Sequence, residues 1–273
     1  MEPFIFKKSE YFVINEWEEK FPRLLAGFTS KKGGVSKGAY SSMNLGLHVN
    51  DSLQSVRQNR EHMGEILGFP LHTWVSAEQT HDIHIEKVVK EDRGRGSLQY
   101  EDSFNATDGF FTTDTGLLLT LCYADCVPLY FFHEKSKAIG VAHAGWKGTV
   151  NGIAREMVAM YKQEGMDIEG LHAVIGPSIC GNCYIVDNRV ISLINKNLAD
   201  YHPKPYTQIE DNQYFLDLKQ LNKDILIKSG VLEKNISVTN LCTSCENNDF
   251  FSHRRDKGKT GRMMSFIGWK EDF

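Results

Sequence analysis

Three residues that commonly bind metal ions, His81, Cys126 and His143, each lie at or near the end of a predicted β-strand. Imidazole and thiolate are ligands that zinc prefers, and a zinc ion with three protein ligands keeps a fourth position open. An ion held in this way lowers the pKa of its bound water toward neutrality. The three residues therefore predict a catalytic zinc site, and copper is a possible alternative metal. The simpler interpretation is that they are polar residues satisfied within the fold.

Cys126 and His143 also allow chemistry without a metal. A thiolate paired with an imidazolium is the usual activated cysteine nucleophile. Asp125, directly before Cys126, would then orient the histidine. This hypothesis uses two of the three predicted zinc ligands, so the residues alone leave both alternatives open.

The remaining cysteine motifs are two C-x-x-C pairs, Cys180 with Cys183 and Cys242 with Cys245. Paired C-x-x-C motifs are typical of structural zinc sites, but the separation of these two pairs is longer than in a usual zinc ribbon. We expect independent loop thiols and about one metal ion per chain, bound by the His/Cys/His set.

The segment 252–262, SHRRDKGKTGR, is the most basic run of the chain. A guanidinium binds two phosphate oxygens at once, so Arg254 and Arg255 are candidate phosphate ligands. A solvated charged loop is the alternative.

The predicted elements place these residues in a mixed α/β structure. Apolar runs at 117–123, 127–132 and 138–142 predict covered strands on either side of Cys126 and just before His143. Helical periodicity covers 53–67, 149–164, 187–198 and 217–229, and the polar segment 91–107 is expected to form a mobile loop. Several strands are joined by connections too short for a crossover helix, which favours mixed sheets. We therefore expect an α/β (α+β) fold, with residues 1–273 forming a single domain of packed mixed β-sheets and outer helices.

The composition limits the partners. The 273 residues include 31 basic and 35 acidic side chains, a net charge of −4, which provides no general attraction for nucleic acid or an anionic membrane. No apolar run approaches the roughly 20 residues that span a bilayer, and the N-terminal residues do not resemble a signal peptide. We expect a cytoplasmic protein with reduced cysteines.

Taken together, eight short motifs resemble one known family. They are GGVS at 33–36, NLGLHV at 44–49, QTH at 79–81, TDGFFT at 107–112, ADCVP at 124–128, HAGWKGT at 143–149, GPSIC at 176–180 and CT followed by FFSHRRDKGKTGR between 242 and 262. In this order they resemble the laccase-domain family of bacterial proteins, over roughly residues 27–268. That family was first labelled multicopper polyphenol oxidase, and its members are better described as zinc-dependent purine nucleoside phosphorylases.

The resemblance implies a catalytic metal held by His81, Cys126 and His143. It also implies phosphorolysis of adenosine, inosine and S-methyl-5′-thioadenosine, with adenosine deaminase activity in the same site, so that purine nucleosides and phosphate are the expected partners. A multicopper oxidase centre fits poorly, because only 10 histidines are spread along the chain without paired motifs. A Cys–His hydrolase or deamidase, possibly acting in peptidoglycan maintenance, and a metal-binding protein without turnover remain alternatives.

Sugar and phosphate contacts are expected from Asn44, His48 and Arg60, together with Arg254 or Arg255. One position departs from the family pattern, which usually has glutamate where Ile185 follows Tyr184. A carboxylate role at this position is therefore in doubt.

Overall fold

A computed structural model of the protein describes residues 1–198 and 203–271. Positions 199–202 and 272–273 of the expected domain lie outside the described residues. The helices are α1 Asn15–Lys20, α2 Leu53–Leu67, α3 Trp146–Asn151, α4 Ile153–Gln163, α5 Asn188–Asn197 and α6 Leu218–Lys228. The strands are β1 Phe4–Lys8, β2 Tyr11–Ile14, β3 Leu24–Thr29, β4 Trp74–Val75, β5 Ile85–Lys87, β6 Gly109–Thr112, β7 Leu118–Tyr123, β8 Val127–His133, β9 Ile139–Ala144, β10 Leu171–Ile175, β11 Ile185–Val186, β12 Tyr206–Glu210, β13 Gln213–Leu216, β14 Ile236–Val238 and β15 Met263–Trp269. Within these ranges, no helix is long and apolar enough to cross a membrane.

Two six-stranded sheets form the centre of the molecule. The strand order is β1-β2-β3-β15-β7-β4 in the first sheet and β14-β10-β8-β9-β6-β5 in the second. Most neighbours are antiparallel, but β4 with β7, β5 with β6 and β10 with β14 are parallel pairs. A small third sheet has the order β11-β13-β12. This arrangement confirms the prediction of an α/β fold with packed mixed sheets.

The two large sheets pack face to face, and helices cover their outer faces. Aromatic and aliphatic residues of both sheets, including Phe28 and Ile267 from the first and Tyr130 and Phe132 from the second, form the core between the sheets. Helix α2 packs on the outside of the first sheet through a second cluster. Helices α4, α5 and α6 cover the outside of the second sheet through a third cluster. The central strands of each sheet, such as β15 and β8, are therefore buried on both faces.

Strand β8 shows why the sequence indicated covered strands. Leu129 and Phe131 belong to the cluster under the helices, whereas Tyr130 and Phe132 belong to the cluster between the sheets. Successive side chains of a strand point to opposite faces, so a strand covered on both faces has a continuous apolar run rather than an alternating one.

The helix predictions are confirmed with one correction. Helix α2 begins after its N-cap Ser52, whose hydroxyl accepts from the Ser55 amide, and ends at Gly68 with φ 69°. The predicted helix at 149–164 is instead two helices, α3 and α4, because Gly152 adopts φ 100° between them. Glycine takes this left-handed conformation without the steric cost that other residues bear.

The polar segment 91–107 is anchored rather than a free loop. The Arg60 guanidinium of α2 donates to the carbonyls of Gly96 and Ser97 at 2.8 and 2.9 Å. Phe104 pairs with Ala77 in an isolated β-bridge and is 5% exposed. The segment therefore forms a fixed wall beside the first sheet.

Candidate metal centre

The structure brings His81, Cys126 and His143 together. Their ligand atoms all lie within 4.8 Å of one another. Cys126 lies in the turn between β7 and β8, His143 is the next-to-last residue of β9, and His81 lies in the loop after β4. The set therefore forms where the chain passes from the first sheet to the second.

The β8–β9 register places a glycine against the three residues. Pro128 pairs with His143, and Gly145 follows β9 beside Cys126. A Cβ atom on Gly145 would lie 2.9 Å from Cδ2 of His81 and 3.2 Å from Sγ of Cys126. The space in front of the three ligands therefore depends on the absence of a side chain at position 145.

The Asp108 carboxylate, directly before β6, organises the centre. It accepts the amide N–H groups of Thr80, His81 and Asp82 at 3.0, 3.0 and 2.9 Å. Its Oδ1 also lies 2.8 Å from Nδ1 of His143, and both side chains are buried. One carboxylate thus fixes the loop that carries His81 and the imidazole of His143.

These bonds determine how the two histidines are presented. His81 has φ 63°, a conformation that non-glycine residues adopt at a cost of about 1–2 kcal/mol. Its amide bond to Asp108 holds it there. Because Nδ1 of His143 bonds to Asp108, Nε2 is the nitrogen available to a metal. A carboxylate behind a metal-binding histidine fixes the tautomer and raises the basicity of the imidazole.

Gln79 attaches the same loop to the first sheet. Its side chain donates to the Cys122 carbonyl at 2.9 Å and accepts the Cys122 amide N–H at 2.7 Å. The amide of Gln79 therefore continues the backbone pairing at the end of β7, two residues before His81.

In the absence of a metal, Cys126 and His143 favour a charged pair. Burial raises the pKa of Cys126, but the charge of His143 and hydrogen bonds from His143 and His81 outweigh it and lower the pKa to about 6. Burial lowers the pKa of His143, but the Cys126 thiolate and Asp108 outweigh it and raise the pKa to about 9. The sulfur is thus in the thiolate form that binds metals or acts as a nucleophile.

The three residues open into a cavity of about 440 Å³. Its wall combines polar, aromatic and basic side chains from both sheets and from the loops above them. The lining residues are His48, Gln79, His81, Tyr100, Cys122, Ala124, Asp125, Cys126, His143, Trp146, Ile179, Tyr184, Leu218, His253, Arg254 and Arg262. The volume is in the range of small-molecule sites, about 300–1,000 Å³.

Two of the expected sugar and phosphate ligands, His48 and Arg254, line this cavity. Partial burial and the neighbouring positive charges of Arg262 and Arg60 lower the pKa of His48 to about 4, so it is neutral at pH 7. The Arg254 guanidinium lies 4.9 Å from the Tyr184 ring centroid and donates to the Ile185 carbonyl at 2.7 Å.

The structure does not bring Asn44, Arg60 or Arg255 into the cavity wall. Asn44 is fully buried, and its Oδ1 accepts the amide of Arg262 at 2.9 Å. Arg60 is 2% exposed and donates to backbone carbonyls, including that of Leu45 at 2.8 Å. These two polar side chains support neighbouring backbone and do not line the cavity, and a ligand contact from either of them stays a prediction.

Arg255 likewise bonds to the protein itself. Its guanidinium forms a bidentate pair with Asp256, at 2.8 and 2.9 Å. It also donates to the carbonyls of Thr243 and Phe250, each at 2.9 Å. Of the arginine pair, the structure therefore presents Arg254 to the cavity and uses Arg255 to hold the adjacent loops.

Asp125 does not orient His143, because Asp108 does. The Asp125 carboxylate instead accepts the hydroxyls of Thr243 and Ser252 at 2.6 and 3.0 Å and the amide of Arg254 at 2.7 Å. This carboxylate thus fixes the backbone from which Arg254 reaches the cavity.

Sequence reasoning assigned no role to several residues of the site, chiefly Asp108, Tyr184 and Arg262. Asp108 lies in the motif TDGFFT and Arg262 ends the basic run, so both belong to segments that resemble the family. Their contacts join positions far apart in the chain, which spacing does not reveal. Arg262 donates from Nη1 to the carbonyls of Thr260 and Gly261 at 3.0 and 3.1 Å while lining the cavity.

The donor set fits a metal ion. Two imidazoles and one thiolate converge on one point, with a carboxylate behind one imidazole and a cavity in front. Zinc binds such sets with three protein ligands and an open position. A blue-copper site commonly adds a weak axial Met, whereas no Met lines this cavity in the described part of the chain.

The fold and site define a mixed α/β protein with a set of three potential metal ligands at the junction of two packed sheets. The model of the family described as multi-copper polyphenol oxidoreductase laccase matches residues 25–270. The chain belongs to this family.

Relatives with high coverage include two proteins from bacilli. The chain is 46% identical over 273 residues to purine nucleoside phosphorylase YlmD of Bacillus subtilis, covering 98% of each chain. It is 44% identical to purine nucleoside phosphorylase YlmD of Geobacillus stearothermophilus over 93% of each chain. The crystal structure of YlmD from Geobacillus stearothermophilus has a TM-score of 0.96 at 42% identity, covering 99% of this chain and 100% of that one.

Asp108→Asn tests the role of the carboxylate. Both carboxylate oxygens of Asp108 accept N–H groups, and in the variant one of these oxygens is replaced by an NH₂ group that cannot accept. The His81 loop and the His143 ring therefore lose their common anchor. We expect metal affinity to fall about 10- to 100-fold while the protein remains folded by circular dichroism. Affinity is measured by competition with a chromophoric chelator.

Asp114→Asn is the matched control, since Asp114 follows the other end of β6 and accepts the Lys90 amide at 2.9 Å. It should leave metal affinity unchanged. Equal affinities of the two variants would show that Asp108 does not position the ligands.

Proposed function

We propose that the protein is a purine nucleoside phosphorylase acting on adenosine, inosine and S-methyl-5′-thioadenosine, with zinc-dependent adenosine deaminase activity in the same site. The observation that carries the proposal is the cavity that joins the His81/Cys126/His143 centre to the guanidinium groups of Arg254 and Arg262. The similarity to proteins named purine nucleoside phosphorylase supports it.

The cavity has surfaces suited to a purine. Tyr100, Trp146 and Tyr184 supply aromatic rings, and Ile179 and Leu218 supply apolar contacts. Flat heterocycles stack on such rings, and each aromatic contact contributes about 1–3 kcal/mol when bases bind to proteins. The Arg254 guanidinium beside Tyr184 links this surface to the basic part of the wall.

Arg254 and Arg262 are the proposed phosphate ligands. Both line the cavity, and His48, which also lines it, is neutral at pH 7 because its pKa is about 4. The permanent positive charge near the site therefore comes from guanidinium groups, which bind phosphate through two hydrogen bonds at once. Asp125 and Asn44 fix the backbones of the two arginines.

In phosphorolysis, a phosphate oxygen forms a bond to C1′ of the ribose while the C1′–N9 bond breaks. The purine leaves with the electron pair of that bond and takes up a proton, and the sugar leaves as ribose 1-phosphate. The contribution expected of the protein is to hold phosphate against C1′ and to stabilise the charge of the leaving base. The arginines and the aromatic wall provide these two functions.

Deamination places different demands on the same residues. A zinc ion in this donor set acts as a Lewis acid and lowers the pKa of water, which is the chemistry needed at C6 of adenine. His81, Cys126 and His143 would hold the ion, and Asp108 orients His143 and the His81 loop. The aromatic wall holds the purine ring in front of these ligands.

A copper oxidase function is less well supported. Among residues 1–198 and 203–271, one group of potential metal ligands contains histidine, and it has three members. A centre of several copper ions needs more histidine ligands than this.

A Cys–His hydrolase is the second candidate, favoured by the chain of contacts from Cys126 to His143 to Asp108. This order of nucleophile, base and acid is that of hydrolytic triads. Such a mechanism has no need of His81. The alanine variant of His81 therefore separates the two candidates.

The direct test is incubation of the pure protein with inosine, with and without inorganic phosphate. We expect hypoxanthine and ribose 1-phosphate only when phosphate is present, measured by liquid chromatography. Adenosine should yield adenine with phosphate and inosine without it. Absence of any product under all conditions would contradict the proposal.

Arg254→Ala should raise the KM for phosphate in inosine cleavage about 10-fold or more, since a hydrogen bond to a charged group contributes about 1.5–3 kcal/mol. Adenosine deamination without phosphate should change much less. Steady-state kinetics at varied phosphate measures both.

Arg255→Ala is the matched control from the next position. It should lower the melting temperature, because four hydrogen-bonded groups lose their donor, but leave the phosphate KM unchanged. If the Arg255 variant raised the phosphate KM and the Arg254 variant did not, the assignment from the structure would be wrong.

A further inference from the structure

The four remaining cysteines of the C-x-x-C pairs form a second cluster. Cys180 precedes and Cys183 ends a short 3₁₀ turn before β11, and Cys242 and Cys245 lie in the turns that follow β14. All four Sγ atoms lie within 4.8 Å of one another, and those of Cys183 and Cys245 are 3.5 Å apart. The expectation of independent loop thiols is therefore wrong.

The spacing fits a tetrahedral ion. Four sulfur atoms bound to zinc at about 2.3 Å are about 3.8 Å from one another. The Sγ atoms of this cluster lie within 4.8 Å of one another, a spacing compatible with that arrangement. Four protein ligands fill the coordination shell, so such a site is structural, unlike the three-ligand centre in the cavity.

Backbone hydrogen bonds point at the most buried sulfur. Cys242 is 3% exposed, and its Sγ accepts the amide N–H of Cys180 at 3.2 Å and of Cys245 at 3.4 Å. A neutral thiol is a weak acceptor, whereas hydrogen bonds from amides stabilise a thiolate. One of these donors comes from the opposite C-x-x-C pair, so the bonds cross the cluster.

The fold itself brings the two pairs together. The parallel strands β10 and β14 lead into the two loops, and Ser178 forms an isolated bridge with Cys242. The Thr243 amide donates to the Ser178 carbonyl at 3.2 Å. Arg255 donates to the Thr243 and Ser244 carbonyls and so holds the loop that carries Cys242 and Cys245.

A disulfide explains these features less well. The 3.5 Å between Cys183 and Cys245 is far longer than an S–S bond of about 2.05 Å. A bond between these two would also leave Cys180 and Cys242, with the two amide donors on the latter, without a function.

We propose that Cys180, Cys183, Cys242 and Cys245 bind one structural zinc ion, separate from the His81/Cys126/His143 centre. The ion joins the loop that continues into Tyr184 to the loop that leads toward Arg254. Both of these residues line the cavity. The site therefore holds one wall of the cavity without contributing to the reaction.

Zinc content per chain tests the proposal, measured by elemental analysis of protein purified without chelator. The wild-type protein should contain two zinc ions. The double variant Cys183→Ser/Cys245→Ser should contain one, as should Cys126→Ser. Cys122→Ser is the control, since Cys122 belongs to neither group, and it should retain two.

The Cys126→Ser protein keeps all four clustered cysteines, so it allows a second measurement if the double variant does not fold. Zinc X-ray absorption should show four sulfur neighbours at about 2.3 Å. The proposal would be overturned by a single zinc ion in the wild type or by a zinc content that the double substitution leaves unchanged. It would also be overturned by nitrogen or oxygen neighbours of zinc in Cys126→Ser, or by a wild-type mass lower by two hydrogens.

Discussion

The buried Asp108 carboxylate is the contact on which the metal centre depends. It lies at the start of a strand in the second sheet, yet it accepts three consecutive amides of the loop that leaves the first sheet and the Nδ1 proton of His143. A buried carboxylate needs such donors, because an unpaired charge inside a protein is strongly destabilising. Satisfying Asp108 therefore also fixes two of the three proposed metal ligands.

The two packed sheets explain how one cavity can join the proposed metal ligands to the proposed phosphate ligand. The turn between β7 and β8 passes from one sheet to the other and carries Cys126 and Asp125 side by side. Cys126 joins the metal ligands, while Asp125 holds the backbone of Arg254 on the opposite wall. Adjacent residues thus supply one proposed metal ligand and the support for the proposed phosphate ligand. The proposed zinc site of the cysteine cluster joins the loops that precede Tyr184 and Arg254, and both of these residues line the cavity.

The sequence predicted most strands and helices because both faces of each large sheet are buried, which produces continuous apolar runs. The His/Cys/His set was predictable from residue type and family resemblance. The roles of Asn44, Arg60 and Arg255 were not predictable, because a polar residue in a family motif can bind backbone groups as well as a ligand. Asp108 and the cysteine cluster depend on strand register and on contacts between distant loops, which residue spacing does not encode.

The reactivation of metal-depleted protein tests the central claim most directly. Adenosine deamination and inosine phosphorolysis should both disappear on metal removal and return in parallel as zinc binds at His81, Cys126 and His143. His81→Ala should prevent this recovery as fully as Cys126→Ala, because both ligands are required. The account would be contradicted, and a cysteine hydrolase favoured, by any of three results: full activity in metal-free protein, retained activity in His81→Ala, or a covalent adduct of substrate with Cys126.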